Sequence, residues 1–443
     1  MQAGPMNVTI IYLSPIEVYS EIAGGWLSCD YDSTIQWMEY STGGKLNTVI
    51  HNVQLQSPQK YVEINQQAQD GEAYIAMAFR PGLTWQLGRG DGACRGLFHD
   101  TGALNDSLSM AFREIRDDVA VFAITVDLGQ IQSILIPVTW AVDLMPYYTT
   151  RYPEVNMSQA IKDFISSFPD IQRKAIALDN AIAGDALKIS PRYADLVSLA
   201  ARQTLGSLDI TVSTGTDGKP NSSNVRIFMK DVGSSTLTGW VNPVEKIYAA
   251  LPMLLYLNAS LMGPLLSPLL DAQDASMEEL YAAQDIGLAY PNATGTRGGH
   301  NKETGNMLIM IYAHARFSGD GTLIHRHYDL AKRWTNYLVN HTLNLSDQSS
   351  ADTEIQNPAN MTNLALKGII GVKAMAEISQ ALGQKNYAAS LAASWVSLAM
   401  SSSGDRLLGS YDDEQSWALM YNLYADRLLQ TGVVEQTVST QCA

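Results

Sequence analysis

Acidic side chains in turn-rich segments are the residues of this sequence whose type and position best suit acid–base chemistry. Asp285 stands in the run Gln284–Gly287, shortly before the turn sequence Tyr290–Gly295. A carboxylate in a loop between helices is well placed for general acid or general base catalysis. The other reading of this position is an aspartate that caps a turn. The sequence leaves both readings open.

Further carboxylates lie at predicted helix starts. Glu303 begins a helix after the loop 298–301, where an acidic residue ordinarily complements the positive end of the helix dipole. Asp412 and Asp413 precede Ser416, which the pattern makes the N-cap of the last strong helix. These two residues either complement that dipole or point a carboxylate into a cavity.

Several other chemistries find no support in the sequence. It contains neither a G-x-S-x-G elbow nor an H-E-x-x-H pair, and its three cysteines are too scattered for a zinc site. We therefore expect no metal and no cofactor. The formal net charge of -15 argues against a nucleic-acid partner, which needs a basic face. No uninterrupted apolar run is long enough to predict a membrane span.

The first part of the chain reads as β-strands. Alternating or continuous apolar segments bounded by turn signals predict strands that would form a β-sandwich-like domain over residues 1–150. The clearest of them are Asn7–Leu13, Thr34–Tyr40, Val119–Val126 and Ser133–Trp140. The run Gly88–Gly92 lacks the glycine spacing of a dinucleotide loop, and we interpret it as a turn that opens no helix.

After a linker with a helix over residues 151–189, the hydrophobic period becomes helical. Ser190 is a predicted N-cap with Pro191 at the first helical position, and Thr322 and Thr362 are predicted caps of later helices. Helices are expected at 190–206, 303–318, 322–339, 362–382, 385–400 and 416–430, with Pro252 kinking or breaking another. Successive helices with short connections predict stacked helical hairpins over residues 190–443. The fold class is therefore α+β and multidomain.

Several long strings, in the same order, resemble the fungal glutaminase A family. They are Tyr290–Gly295, Gly305–Met310 followed by Tyr312-Ala-His-Ala, Thr362–Gly371, and Ser416-Trp417 followed by Tyr421–Leu428. The resemblance is continuous from about residue 190 to 432. It implies a β-sandwich-type domain followed by a six-hairpin α/α toroid. Against the family pattern we expect this chain to be shortened at both ends and its toroid to be incomplete.

The resemblance also implies a function. Its members are extracellular enzymes that hydrolyse L-glutamine to L-glutamate and ammonia, so the expected partner is a small molecule. The chain begins without a signal peptide, but a secreted glycoprotein would explain its nine N-x-S/T sequons. The sequons are at Asn7, Asn105, Asn156, Asn221, Asn258, Asn292, Asn340, Asn344 and Asn360.

Candidate site residues follow from this function. The acids are candidates for proton transfer, and polar or aromatic neighbours are candidates for substrate contact. They are Asp285, Glu303, Asp412 and Asp413 for the first role and Tyr290, Asn306 and Trp417 for the second. The family commonly carries an acid two residues before the Thr304 position. This chain has Lys302 there, so either Glu303 takes that role or a cation has replaced the carboxylate.

A binding function of a different class stays open. A family member that has lost catalysis would be a lectin-like protein with a glycan as its partner. Trp240, Trp334 and Trp417 would then supply faces on which sugars stack. The other reading of these tryptophans is core packing, which is the more common use of a large aromatic side chain.

Overall fold

The computed structural model divides the chain into two compact units, residues 1–188 with 214–223 and residues 189–213 with 224–443. The residues that the structure describes are 6–15, 34–36, 48–55, 63–64, 67–68, 72–107, 113–114, 120–131, 141–145, 157–217, 220–231, 240–276, 279–287, 295–296, 298, 301–344, 360–381 and 388–434.

Antiparallel strands make up most of the first unit. Its strands are β1 (Met6–Pro15), β2 (Thr34–Gln36), β3 (Thr48–Leu55), β4 (Glu63–Ile64), β5 (Gln67–Ala68), β6 (Glu72–Ala78), β7 (Leu83–Gly90), β8 (Arg113–Glu114), β9 (Ala120–Ile131) and β10 (Ala141–Met145). One sheet has the order β1-β9-β7, a second has the order β10-β6-β3-β2-β8, and β4 pairs with β5. This confirms the β-rich reading of the first part of the chain.

Side-chain alternation explains how the strands build a core. Ile10 of β1 and Leu83 of β7 both lie opposite Val126 of β9 in the strand register, and the side chains of Leu83 and Val126 are buried. Ile50 and Tyr74 of the second sheet pack against Ile161 of a following helix. The predicted strand Ser133–Trp140 lies outside the described residues, as do residues 37–40 of the predicted strand that begins at Thr34.

Helices dominate the second unit. The helices found in the described parts of the chain are α1 (Asp91–Thr101), α2 (Met157–Leu187), α3 (Pro191–Gly206), α4 (Val244–Asn258), α5 (Met262–Ser276), α6 (Asn301–Ser318), α7 (Thr322–Arg326), α8 (Tyr328–His341), α9 (Thr362–Ala381), α10 (Ala388–Ala399) and α11 (Leu423–Leu429). A hairpin of β11 (Leu208–Thr214) and β12 (Pro220–Met229) follows α3. The interpretation of Gly88–Gly92 as a turn that opens no helix was wrong, because Asp91 begins α1 directly after β7.

Helix boundaries agree with the sequence where the signals are local. The Ser190 hydroxyl accepts a hydrogen bond of 3.1 Å from the Tyr193 amide and Pro191 begins α3, as predicted. The caps at Thr322 and Thr362 were wrong, because both are first helical residues. Helix α4 continues through Pro252, so that proline does not break it.

The predicted helix 416–430 is present only over its second half, as α11. Ser416 is not its N-cap, because its hydroxyl accepts a hydrogen bond of 2.9 Å from the Ser410 amide. The backbone of Trp417 lies against Gly409, where an added Cβ would stand 2.7 Å from the Trp417 carbonyl carbon. These contacts hold residues 416–422 in a non-helical path.

Helices α4, α6 and α9 are neighbours that begin at the same end of the second unit. Lys302 in the first turn of α6 pairs with Glu245 in the first turn of α4. At the far end, His314 of α6 bonds to the carbonyl of Ala259, directly after α4. Near the start of α9, Lys367 contacts Gly305 of α6. Three helix N-termini therefore face one region.

Glycines allow α6, α8 and α9 to approach closely. A Cβ on Gly371 of α9 would stand 3.0 Å from the Gly305 Cα, and a Cβ on Gly368 would stand 1.8 Å from the hydroxyl oxygen of Thr342, directly after α8. Thr342 is fully buried and donates a hydrogen bond of 3.2 Å to the carbonyl of Ala365. It cannot withdraw without losing that bond.

We expect Gly368→Ala to lower the free energy of unfolding of the helical unit by about 1–3 kcal/mol, because overpacking outweighs the gain in helix propensity. Gly206→Ala is the control, since a Cβ there meets nothing within 4 Å, and its effect should stay within about 0.5 kcal/mol. Urea unfolding followed by circular dichroism measures both. Equal stabilities for the two variants would show that Thr342 does not restrict this position.

Among the described residues, one apolar stretch, Val244–Ser276, has the length and composition of a membrane helix. It comprises α4, a short 3-10 turn and α5, whose residues Leu254, Leu265 and Leu269 are fully buried in the hydrophobic core of the second unit. A core helix passes the same test, so packing explains this stretch.

Candidate active site

Buried cations mark the region where α4, α6 and α9 begin. The Lys302 ammonium lies 3.1 Å from Glu245 Oε1, and only 6% of Lys302 is exposed. Lys367 of α9 is 2% exposed. Burial of a lysine costs free energy unless other groups compensate the charge. Two buried lysines near the starts of neighbouring helices therefore indicate a functional site.

Aromatic rings surround the Lys367 ammonium. Its nitrogen lies 4.9 Å from the centre of the Tyr248 ring and 5.8 Å from that of Tyr421. Ring faces attract cations, and the attraction grows where water is excluded. Burial raises the pKa of the Tyr248 phenol well above its ordinary value, and Tyr424 adds a smaller effect in the same direction. Tyr248 is therefore a neutral hydroxyl beside a cation.

Asp285 is fully buried in a segment held by backbone pairing. The Ile286 amide donates to the carbonyl of Val241, and the Val244 amide donates to that of Gln284. The Gly287 amide donates a hydrogen bond of 2.7 Å to Asp285 Oδ1. Asp285 thus does accept a turn hydrogen bond, and it is also an enclosed carboxylate directly beside the start of α4.

Glu303 lies in the first turn of α6 and is 8% exposed. Its neighbour Thr304 accepts a hydrogen bond of 2.9 Å from the amide of Ala282. That contact joins the segment carrying Asp285 to the helix carrying Glu303. The carboxylates of Asp285 and Glu303 therefore belong to adjacent segments. The Lys302 ammonium forms its ion pair with Glu245 of α4.

Asn306 is the most unusual polar residue of this region. It is fully buried, and neither its amide nitrogen nor its carbonyl oxygen has a hydrogen-bond partner in the described structure. Leaving buried polar atoms unpaired costs about 1–3 kcal/mol. Asn306 lies one helical turn after Lys302, so both side chains face the same side of α6. An unpaired primary carboxamide there is a group prepared for a ligand.

The remaining sequence candidates lie elsewhere or cannot be described. Asp412 and Asp413 are exposed on a turn, and Asp413 Oδ1 accepts a hydrogen bond of 3.0 Å from the Gln415 amide. Trp417 is 75% exposed, so the core-packing interpretation is wrong for it, whereas Trp334 is fully buried. Tyr290 lies outside the described residues.

Sequence reasoning missed Lys367 and Tyr248. The signal for Lys367 was present, because it is the single charged residue in the largely apolar run Thr362–Gly371. A lysine on a helix that is apolar on all sides has to be buried. No pattern distinguished Tyr248 from the other tyrosines of the chain.

A metal centre is not formed by the part of the chain that the structure describes. No group of three or more His, Cys, Asp or Glu side chains there is arranged to hold an ion. The polar groups that this region does supply are carboxylates, ammonium groups, phenols and a carboxamide.

Comparison with known families gives two matches along the chain. Residues 190–443 match the glutaminase A six helical-hairpin domain, and residues 13–185 match the domain of unknown function DUF5127. Glutaminase A of Aspergillus oryzae is 33% identical over 454 residues, covering 96% of this chain and 64% of the relative. A probable glutaminase of Arthroderma benhamiae is 26% identical, covering 96% of this chain and 59% of the relative. The chain thus spans less than two thirds of the length of either relative.

Proposed function

Because the chain belongs to the glutaminase A family, we propose that it hydrolyses the side-chain amide of L-glutamine to L-glutamate and ammonia. The proposal rests on one observation, the meeting of a buried carboxylate, an unpaired carboxamide and buried ammonium groups where three helices begin. Its substrate would be a small molecule, and the nine sequons agree with an extracellular setting.

Amide hydrolysis sets three tasks for such a site. A water oxygen attacks the amide carbon, the carbonyl oxygen becomes an oxyanion, and the carbon–nitrogen bond breaks as the nitrogen receives a proton. In our proposal Asp285 and Glu303 share the proton transfers, one removing a proton from water and the other supplying one to the departing ammonia. Both are held on adjacent segments by contacts of the backbone and of Thr304.

Binding and charge stabilisation fall to the other groups. The Asn306 carboxamide has a free donor and a free acceptor, which match the acceptor and donor of a primary amide. The Lys367 ammonium is a cation in a water-poor setting, where attraction to a developing oxyanion or to a substrate carboxylate is strong. Lys302 is already paired with Glu245 and is assigned to positioning.

The direct test measures ammonia release from L-glutamine by the purified protein between about pH 4 and 9, the range in which carboxylate and histidine catalysts change charge. L-Asparagine, which is one methylene shorter, serves as the comparison substrate. We expect turnover of glutamine above that of asparagine. Absence of ammonia release from glutamine across the range, by protein that unfolds cooperatively, would reject the proposal.

A carbohydrate-binding function is the second candidate, and exposed aromatic residues favour it. Trp417 and Tyr424 are 75% and 51% exposed, and an accessible indole face is what a sugar ring stacks against. A glycan array probed with the protein and with Trp417→Ala tests it. Loss of a glycan signal in the variant would support this candidate, and an empty array would remove it.

A further inference from the structure

A small polar cleft lies on the helical unit beside the segment that leads to Asp285. It encloses about 130 Å³, which suits a ligand of a few heavy atoms rather than a drug-sized one. The end of α5, the segment 279–283, residues 296 and 298, and one face of α8 form its walls. The residues that matter for its chemistry are Gln273, Ser276, Glu279, Tyr281, Arg333 and Trp334.

Arg333 is the cation of this cleft. Its Nε is buried without a hydrogen-bond partner, and no hydrogen bond or ion pair of its guanidinium occurs within the described residues. Trp334, fully buried beside it, fixes this stretch of α8. A guanidinium offers five donors in a planar fork that matches a carboxylate. Leaving the buried Nε donor unpaired costs free energy unless a ligand carries an acceptor.

Glu279 supplies the opposite charge. Its carboxylate is exposed at the cleft and accepts a hydrogen bond from the Tyr281 phenol. The pKa of the Tyr281 phenol is raised chiefly by burial. The hydrogen bond to Glu279 and the negative charge of Glu279 raise it further. The Tyr281 ring packs 5.3 Å from that of Tyr337, which stacks on His341 at 4.4 Å. The acid is therefore held by a phenol that aromatic packing fixes in place.

Gln273 does not contribute free polar atoms. Its side-chain oxygen accepts a hydrogen bond of 2.6 Å from the Ala283 amide, and its nitrogen donates one of 3.0 Å to the Leu269 carbonyl. Gln273 therefore shapes the wall, and Arg333 and Glu279 decide what binds. A cation and a carboxylate in one cleft favour a ligand that carries both charges over a simple anion, because the acid repels the anion.

We infer that this cleft binds the zwitterionic head of an α-amino acid, with its carboxylate on Arg333 and its ammonium on Glu279. The lining of the cleft includes none of the residues assigned to the proposed amide hydrolysis. The choice of L-glutamate as probe rests on the proposed glutaminase function, but the recognition of an amino-acid head does not. A bound amino acid would hold residues 279–283, which continue directly to Asp285.

The test is isothermal titration on the full chain, with two probes that have no side-chain amide to hydrolyse. The probes are L-glutamate and glutarate, which has the same two carboxylates and no ammonium. Arg333→Met should weaken binding of both at least about tenfold, since it removes a charged hydrogen-bond donor. Glu279→Gln should weaken binding of L-glutamate by a similar factor. It should leave binding of glutarate unchanged or tighter, because the repulsion between the Glu279 carboxylate and the glutarate anion is removed.

Lys332→Met is the matched control, because it removes an exposed cation next to Arg333 and should change neither affinity. Thermal unfolding of each variant shows whether it is folded. Binding of L-glutamate that is unaffected by Arg333→Met, or lost equally in the control, would overturn the inference. Equal weakening of L-glutamate and glutarate binding by Glu279→Gln would also overturn it. Ammonia release by the unmodified protein is measured separately, so failure of the cleft and failure of the proposed function are distinguishable.

Discussion

Replacing Asp285 with asparagine is expected to reduce ammonia release from L-glutamine at least about a hundredfold, the usual contribution of a general acid or base. The substitution keeps an oxygen that can accept the 2.7 Å hydrogen bond from the Gly287 amide. The segment beside α4 should therefore keep its conformation while the side chain loses its capacity to take and return a proton. The measurement is kcat/KM for ammonia release, with urea unfolding to confirm an intact fold.

Asp413→Asn is the matched comparison for this experiment. Asp413 is exposed on a turn and bonds to the nearby Gln415 amide, so the same chemical change there should leave turnover within about twofold, a difference of less than 0.5 kcal/mol. A fully active Asp285→Asn enzyme would remove Asp285 from the chemistry. A strong loss in Asp413→Asn would instead mean that the exposed turn forms part of the working site.

The sequence predicted those features of the fold that depend on neighbouring residues. Ser190 and Pro191 define a helix start through contacts within one turn, and the structure reproduces it. Ser416 carries a similar local signal, yet its hydroxyl is used by the Ser410 amide and the backbone of Trp417 is held against Gly409. The helix signal fails at this position because residues 409 and 410, six to eight positions earlier in the same loop, already use these groups.

In the candidate site, too, the sequence indicated single unusual residues but not the contacts between segments that bring them together. Asp285 was identifiable from its turn-rich surroundings, but its burial depends on pairing between residues 241–244 and 284–286, which are about 40 positions apart. Lys367 was visible as a cation in an apolar helix, whereas the rings above it come from Tyr248 and Tyr421, far away in the chain. Sequence patterns therefore indicate which residues are unusual, and the fold decides which of them meet.

Asn306→Leu is expected to stabilise the protein and inactivate it. Leucine has the same number of side-chain heavy atoms as asparagine and the same branching at Cγ, but no polar atoms, so the buried and unpaired carboxamide is replaced by a group that belongs in a core. The free energy of unfolding should rise by about 1–3 kcal/mol, the cost of an unsatisfied buried polar group. The donor and acceptor assigned to the substrate amide are lost, so kcat/KM should fall at least about tenfold.

Asn363→Leu is the control because it makes the same change at a buried asparagine in the first turn of a neighbouring helix. Asn363 Oδ1 accepts a hydrogen bond of 3.2 Å from the Asn422 amide, so its loss should destabilise the protein by about 1–3 kcal/mol. Opposite signs of the two stability changes would mean that Asn306 is retained at the expense of stability, as expected of a residue that serves a ligand. Destabilisation by Asn306→Leu with unchanged turnover would make Asn306 a structural residue and leave the substrate amide without its proposed partner.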